Sequence, residues 1–336
     1  MSKKVALITP YSFPENRGNA VTVRRVERNL RKTGANVELF GLDTVTADEI
    51  AGRIASGKFD ICHAFHAYDG GAVARLAANK ANIPYIITLT GSDLHEALFD
   101  RRREKVIESL RDAAIVVAFH ESVKERLLSE MPELADKTSI IPQGVEIPPD
   151  SAPKPAGEEF IFLLPAGLRP VKDVLFPLEP LVRLSKRKPS IRLIITGPVL
   201  DEDYASLVTR RLKDYSFASY SGAVDHQTMN SIYQRADVVI NSSLSEGGMA
   251  NSLLEAMASN RPVLVSNIEG NRSLVTDGIN GLVYDDAEDF VKKAGLLMSN
   301  SELRLKLIET AFKGIVAEHD PIQEALRYQE IYSHKT

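Results

Sequence analysis

Short apolar runs alternate with helical patterns along almost the whole chain, and this alternation constrains the fold more than any other feature of the sequence. Runs that are apolar along their length are typical of parallel strands buried on both faces. In the first half the predicted strands are Val5–Thr9, Val37–Gly41, Ile61–Ala64, Tyr85–Thr88, Ile115–Ala118 and Ser139–Ile141, separated by helical patterns at about 21–33, 48–56, 70–80, 102–112 and 121–130. In the second half they are Phe160–Leu164, Arg192–Thr196, Val238–Asn241, Val263–Ser266 and Leu282–Tyr284. The pattern predicts an α/β protein with doubly wound parallel sheets.

A stretch rich in proline and small residues, 148–157, interrupts the alternation between the two halves. A chain of 336 residues is also too long for one comfortable core. We therefore predict a first domain over residues 1–150, a linker over 151–158 and a second domain over 159–318, with a cleft between the domains. Two helical patterns at about 301–317 and 322–333 end the chain, and Pro321 is predicted to mark the bend between them.

Composition and charge exclude several classes of protein. A formal net charge of −4 argues against a nucleic-acid-binding protein, and the single cysteine, Cys62, excludes an internal disulfide and a thiolate metal cluster. The apolar run Val5–Ile8 is too short for a signal peptide, and no stretch approaches the roughly 20 apolar residues of a membrane span. These features predict a cytoplasmic protein. Peripheral membrane contact through Asp100–Lys105 stays open, although a solvated helix face is the alternative.

The segment from Asn241 to Ala258 places a glycine pair between a predicted strand and a predicted helix. Such a loop lies at the carboxyl end of the strand, where open α/β sheets bind ligands. Gly247 and Gly248 allow the backbone to approach a ligand closely, and the helix that begins near Asn251 presents N–H groups and a positive dipole end to a phosphate. The segment therefore predicts a diphosphate site that needs no metal.

Two carboxylates belong to the same segment. Glu246 precedes the helix, near whatever the phosphate carries, and Glu255 lies about one turn inside it, where it can accept hydrogen bonds from vicinal hydroxyls. For either residue alone a solvated surface charge is the ordinary alternative. Their combination with the following strand, Arg261–Ser266, and with Glu269–Asn271 in the next loop favours a nucleotide-sugar site.

These residues resemble the retaining glycosyltransferases of the GT-B type, in particular family 4. The segment from Glu246 to Glu255 resembles the paired-glutamate motif of that family, with eight residues between the glutamates where the family pattern has seven. Gly167–Asp173 resembles the loop that carries an arginine and a lysine for the diphosphate, here Arg169 and Lys172, which stand closer together than usual. Gly222–Val224 is similar to the segment that meets the base. The nearest subgroup is the glycosyltransferase 1 domain-containing proteins.

The resemblance implies two doubly wound Rossmann-like domains facing each other across a cleft, with the final segment, 319–336, crossing back to the first domain. It implies transfer of a hexose from a nucleoside-diphosphate sugar to a glycan, glycoconjugate or small-molecule acceptor, with retention of the anomeric configuration. The donor that it implies is UDP-glucose or a related UDP-hexose, and neither a metal nor another cofactor is expected. The catalytic set is Arg169, Lys172, Glu246 and His66. The donor-binding set is Gly18, Asn19, Gly222, Val224, Gly247, Gly248, Met249, Ala250, Asn251 and Glu255.

Candidate residues in the first domain follow predicted strands. Gly18 and Asn19 open a helix whose N–H groups would face the diphosphate, although a turn glycine is the alternative. His66 resembles the histidine that family members place near the donor sugar or the acceptor, with packing as the alternative, and His63 is assigned a structural role. Asp93, in a turn similar to the family's His-Gly-x-Asp turn, either receives an acceptor hydroxyl or organises its loop, and loop organisation is favoured.

Two other functions stay open. Gly18–Thr22 and Leu89–Asp93 are similar to segments of the selenosugar synthases, which implies a small anionic acceptor that Arg24 and Arg25 would attract. Arg25 is accordingly a candidate acceptor residue. The second alternative is a nucleotide-sugar-binding protein without activity, against which the presence of Arg169, Lys172 and both glutamates argues.

Overall fold

The computed structural model describes residues 3–13, 18–95, 97–149, 159–186 and 190–334. The chain forms two compact units, one made of Met1–Gly144 with His319–Thr336 and the other of Val145–Glu318. The predicted linker over 151–158 lies outside the described residues. No helix in the described ranges combines the length and the apolar character that crossing a membrane requires.

The first unit contains a parallel six-stranded sheet. Its strands are β1 (Lys4–Thr9), β2 (Asn36–Gly41), β3 (Ile61–Phe65), β4 (Tyr85–Thr88), β5 (Ile115–Ala118) and β6 (Thr138–Ile140), in the order β2-β1-β3-β4-β5-β6. The α-helices are α1 (Gly18–Lys32), α2 (Ala47–Ser56), α3 (Asp69–Ala81), α4 (Ser92–His95), α5 (Arg103–Asp112) and α6 (Glu121–Glu130). The strand order reverses between β1 and β3.

The second unit contains another parallel six-stranded sheet. Its strands are β7 (Phe160–Pro165), β8 (Ile191–Thr196), β9 (Ala218–Tyr220), β10 (Val238–Asn241), β11 (Val263–Ser266) and β12 (Leu282–Tyr284), in the order β12-β11-β10-β7-β8-β9. The helices are α7 (Leu178–Ser185), α8 (Glu202–Leu212), α9 (His226–Arg235), α10 (Asn251–Ala258), α11 (Glu269–Arg272), α12 (Ala287–Ser299) and α13 (Ser301–Glu318). The order reverses between β7 and β10, so ligands are expected beyond the carboxyl ends of these two strands.

Both sheets are buried on both faces, which explains the continuous apolar runs. Along β1, Ala6 and Ile8 pack into one core whereas Val5 and Leu7 pack into the core on the opposite face. The predicted strands are confirmed, but β9 was missed by the sequence analysis. Its three residues, Ala218–Tyr220, form a short edge strand without a fully buried side chain, so they carry little periodic signal.

The last helix in the described residues, α14 (Pro321–His334), belongs to the first unit. The helical pattern is interrupted after Glu318, where α13 ends. Pro321 begins α14, and proline suits the first position of a helix because the N–H that it lacks would have no partner within the helix. Glu324 on α14 forms a buried ion pair with Arg25 on α1, with 3.1 Å between Glu324 Oε2 and Arg25 Nε. Tyr328 and Tyr332 pack into the core below the sheet.

Candidate active site

The candidate site of the second unit lies at the carboxyl ends of β7 and β10. A loop with a short 3-10 helix, Pro170–Lys172, follows β7, and residues 242–250 connect β10 to α10. Two hydrogen bonds join these loops: Leu244 N–H donates to the Val171 carbonyl at 2.9 Å, and Ser242 Oγ donates to the Lys172 carbonyl at 3.0 Å. Since β7 and β10 are neighbours, the loops bring residues distant in sequence together.

An ion pair between Lys172 and Glu246 occupies the junction of the two loops. Both side chains are mostly buried, at 16% and 10% exposure. Glu246 Oε1 accepts from Lys172 Nζ and also from Ser243 Oγ at 2.7 Å and Asn241 Nδ2 at 3.1 Å. Burial alone would raise the pKa of Glu246, but the Lys172 ammonium and the hydrogen bonds from Ser243 and Asn241 outweigh it and hold the pKa below the usual glutamate value. Glu246 is therefore a stable carboxylate at neutral pH.

The amino terminus of α10 follows directly. Ala250 occupies the N-cap position and has no side-chain oxygen with which to cap the helix, and open space surrounds Gly248 where a Cβ would be. The first N–H groups of a helix have no partner within the helix, so this end suits an anionic ligand. Met249 and Asn251 are half-buried on either side of the start of the helix.

The loop carrying Glu246 is fixed from the opposite side by α11. A Cβ on Gly270 would lie 2.5 Å from Glu246 Cβ and 2.6 Å from the Glu246 carbonyl oxygen. Only glycine permits this approach, because real Cβ atoms do not come so close to other heavy atoms. The loop therefore has a firm support despite the extra residue between the two glutamates.

The other predicted residues of the second unit lie along the same edge of the sheet. Arg169 is exposed, and no hydrogen bond to its guanidinium is recorded among the described residues. Gly222, at φ +80°, follows β9, and its carbonyl accepts hydrogen bonds from Gly197 N–H and Thr196 Oγ1 at the end of β8. Val224 is half-buried just before α9.

Glu255 lies further from the loop, inside α10. Its Oε2 accepts a hydrogen bond from Tyr233 Oη on α9 at 3.0 Å, and the carboxylate is only partly buried. Burial first, and then the nearby Glu255 charge, raise the pKa of Tyr233, so the phenol remains a donor. The structure thus brings Lys172 and Glu246 together, whereas Glu255 lies inside α10 and contacts α9 instead of this pair.

His66 follows β3 in the first unit, next to the reversal of strand order. Its backbone has φ +79°, an uncommon conformation for a residue other than glycine. Nδ1 accepts from Asp69 N–H at 3.2 Å, and Nε2 lies 3.1 Å from Ser92 Oγ and 3.5 Å from Asp93 Oδ1. His66 is thus a buried imidazole with a fixed orientation.

Asp93 is fully buried, and backbone groups occupy both of its oxygens. Oδ1 accepts from Ala67 N–H at 2.5 Å, and Oδ2 accepts from Thr90 N–H at 2.7 Å. The carboxylate therefore ties the loop after β3 to the loop after β4. These contacts organise the loops and leave no oxygen exposed to an acceptor.

The remaining residues of the first unit have separate surroundings. Gly18 and Asn19 begin α1, and residues 14–17 before them lie outside the described residues. The structure places Arg25, a candidate acceptor residue, in the buried ion pair with Glu324 instead. His63 is buried between Tyr332 Oη and Thr88 Oγ1, each at 2.7 Å, and burial lowers its pKa to about 3.

The sequence analysis assigned no role to three residues that surround Glu246, namely Asn241, Ser243 and Asn271. Asn241 ends β10 and Asn271 lies in α11, with no exposed surface. A polar residue at the end of a buried strand is the signal that would have identified Asn241. Within the ranges that the structure describes, no group of three or more His, Cys, Asp or Glu side chains is arranged to hold a metal ion.

Comparison with known proteins follows the division into two units. Residues 4–147 match the model of Glycosyltransferase Family 4, and residues 159–300 match that of Glycosyl transferases group 1. The chain belongs to these glycosyltransferases. It is 26% identical to Glycosyltransferase 1 domain-containing protein 1 of Xenopus tropicalis, over 94% of this chain and 93% of that protein. This confirms the suggested subgroup, whereas the likeness to selenosugar synthases stays a prediction.

Solved structures resemble this glycosyltransferase over its full length. HepE of Anabaena, crystallised with UDP and glucose, has a TM-score of 0.83 at 15% identity and covers 99% of this chain and 100% of its own. Sucrose-phosphate synthase of Thermosynechococcus elongatus has a TM-score of 0.82 at 16% identity, with 98% of both chains covered. At these identities the likeness shows the fold, and the predicted GT-B class is confirmed.

Proposed function

We propose that this glycosyltransferase transfers a hexose from a UDP-sugar to a hydroxyl acceptor, with retention of the anomeric configuration. The observation that carries the proposal is the Lys172–Glu246 pair beside the amino terminus of α10, at the reversal of strand order in the second sheet. This arrangement sets cationic and N–H donors next to a carboxylate, as a diphosphate joined to a sugar requires. HepE, which shares the fold, was crystallised with UDP-glucose, and this supports the choice of donor.

Each residue has a role in the proposed reaction. Lys172, Arg169 and the N–H groups at the start of α10 would stabilise the charge that develops on the departing diphosphate. Glu246 would hold hydroxyls of the sugar, and Glu255 those of the ribose. His66 stays a predicted member of the catalytic set, and its ring nitrogens contact Asp69, Ser92 and Asp93 of its own unit.

We propose further that the reaction needs no metal. Fixed cations would neutralise the leaving group where other enzymes use a divalent ion. Turnover should therefore be unchanged by a chelator. Activity that disappears with chelator and returns with manganese would show that the charge stabilisation is assigned to the wrong groups.

The first test is release of UDP by the purified protein over a panel of nucleotide sugars. One donor should be hydrolysed or transferred selectively, and Arg169→Ala and Glu246→Ala should both lose that activity. Arg183→Ala, which removes an exposed arginine paired with Glu288 in the same unit, is the matched control and should retain it. The anomeric configuration of the product, determined by NMR, tests retention.

No turnover with any donor would contradict the proposal. A small anionic acceptor gains no support from the two arginines that suggested it. Arg25 is paired with Glu324, and Arg24 donates to the Ser12 carbonyl at 3.2 Å and to Glu27.

A further inference from the structure

Two paths lead from one buried amide, that of Asn271, to the side chains that donate to Oε1 of Glu246. In the first, Asn271 Nδ2 donates to Asn241 Oδ1 at 3.4 Å, and Asn241 Nδ2 donates to Glu246 Oε1 at 3.1 Å. Because Oδ1 of Asn241 also accepts from Ser243 N–H at 2.9 Å, its amide nitrogen must face Glu246.

The second path runs through two serines. Asn271 Nδ2 also donates to Ser266, whose Oγ and carbonyl oxygen both lie at 3.0 Å, and Ser266 Oγ donates to the Ser243 carbonyl at 2.6 Å. Ser266 thereby holds the backbone of Ser243, whose own hydroxyl donates to Glu246 Oε1 at 2.7 Å. Asn271 has no exposed surface, so its amide is held by these contacts and not by solvent.

All of the hydrogen bonds to the Glu246 carboxylate that the structure records for the described residues end on Oε1. Asn241 from β10, Ser243 from the carboxylate's own loop and Lys172 from the loop after β7 supply them, and Lys172 is the charged group among them. A carboxylate oxygen has two acceptor sites, so Oε2 keeps its full capacity to accept. One oxygen anchors the side chain and the other is available to a ligand.

We propose that Asn271 is a positioning residue, whose buried amide fixes Glu246 through Oε1 and thereby presents Oε2 to a hydroxyl of the donor sugar. The inference rests on the proposed function for the identity of the ligand, but the fixing of Glu246 does not depend on it. Asn271 acts through Asn241, Ser243 and Ser266 and touches no substrate itself.

The test compares Asn271→Ala with the wild type by two measurements. The first is the pKa of the Glu246 carboxyl, followed by carbon NMR and assigned with Glu246→Gln. Without the Asn271 amide, Asn241 and Ser243 should be held less well against Glu246, and the weaker hydrogen bonds to the charged form should raise this pKa by about one unit. The second is calorimetric binding: affinity for UDP-glucose should fall about tenfold, as expected for a weakened hydrogen bond to a charged group, while affinity for UDP alone should change less than about twofold.

Asn280→Ala is the matched control. Asn280 is another hydrogen-bonded amide of the second unit, donating to the Leu274 carbonyl at 2.9 Å and accepting from Thr276 N–H at 2.7 Å, but it precedes β12 and so belongs to the opposite edge of the sheet. It should leave both measurements unchanged. If Asn271→Ala does not fold, Ser266→Ala breaks the contact between Asn271 and Ser243, leaves every donor to Glu246 in place and should shift the Glu246 pKa in the same direction.

The outcomes separate the two proposals. An unchanged Glu246 pKa in Asn271→Ala, or in Ser266→Ala where that variant is needed, would overturn the positioning role whatever the ligand. A raised pKa in a protein that binds neither UDP nor UDP-glucose, even as wild type, would overturn the proposed function and leave the positioning role standing. Equal loss of UDP and UDP-glucose affinity would show a general structural role and contradict the inference.

Discussion

Two buried carboxylates, Glu246 in the second unit and Asp93 in the first, follow parallel strands in the same way and yet are bound differently. Backbone N–H groups occupy both oxygens of Asp93. Side chains bind Glu246, and all of their recorded hydrogen bonds end on one oxygen. Backbone donors in a buried position must be satisfied, so Asp93 serves the fold. A carboxylate that keeps one oxygen available serves a ligand.

The largest effect on activity should come from breaking the Lys172–Glu246 ion pair. Lys172→Ala removes the cation beside the proposed diphosphate, and we expect kcat/KM to fall on the order of 10²–10³-fold, as for the loss of a preorganised donor. Lys293→Ala is the control, since Lys293 also pairs with carboxylates of the second unit, Asp277 and Asp289, both at 3.0 Å. Steady-state kinetics in which both variants lose activity equally would contradict the assignment.

Asp93→Asn should affect stability more than chemistry. It places an amide NH₂ against backbone donors that need an acceptor, which should lower the free energy of unfolding by about 1–3 kcal/mol in a urea titration. Asp286→Asn is the control, because Asp286 caps α12 at the surface, where asparagine caps as well as aspartate does. A stable Asp93→Asn protein without activity would instead assign Asp93 to the reaction.

The comparison also shows what a sequence can and cannot predict. The sequence places Lys172 and Glu246 after buried strands, and this is enough to predict a shared edge. Their direct contact depends on β7 lying beside β10, a strand order that no local pattern encodes. Arg25 was predicted to be an acceptor residue because it is a cation. Its ion pair with Glu324 could not be seen in the sequence, since Glu324 lies 299 positions away.

His63 and His66 also differ through contacts with residues that are distant in the sequence. Both histidines flank the end of β3, but His63 contacts Tyr332 on the last helix of the chain, whereas His66 contacts the loop that follows β4. Periodicity predicted that His63 lies in the strand and is structural. The identity of its partners needed the tertiary structure.

Lowering the pH should distinguish the two units, because it should destabilise the first unit before it breaks the Lys172–Glu246 ion pair of the second. Burial lowers the pKa of His63 to about 3, below its unfolded value near 6.5. As the pH falls, the unfolded chain therefore takes up the proton before the folded chain does. The free energy of unfolding should then decrease by about 1.4 kcal/mol per pH unit from about pH 6.5 toward pH 3. The lowered pKa of Glu246 keeps its ion pair intact through the upper part of this window.

Urea titrations between pH 7 and 5.5 check this expectation. His63→Gln, which keeps a polar side chain but cannot be protonated, is the control and should show a smaller dependence on pH. An equal dependence in both proteins would assign the acid sensitivity to other groups.

The smallest effect should come from Glu255, which is less enclosed than Glu246. Tyr233→Phe removes the phenol that donates to Glu255 Oε2, so the carboxylate keeps its charge but loses one constraint on its orientation. The loss of one neutral donor corresponds to about 0.5–1.5 kcal/mol, so KM for the donor should rise a few-fold to about tenfold with kcat unchanged. Tyr215→Phe is the matched control, because Tyr215 donates to Glu179 in a comparable pair made with α7. A fall in kcat specific to Tyr233→Phe would mean that Glu255 acts in the transition state, and the contrast between the two glutamates would have to be given up.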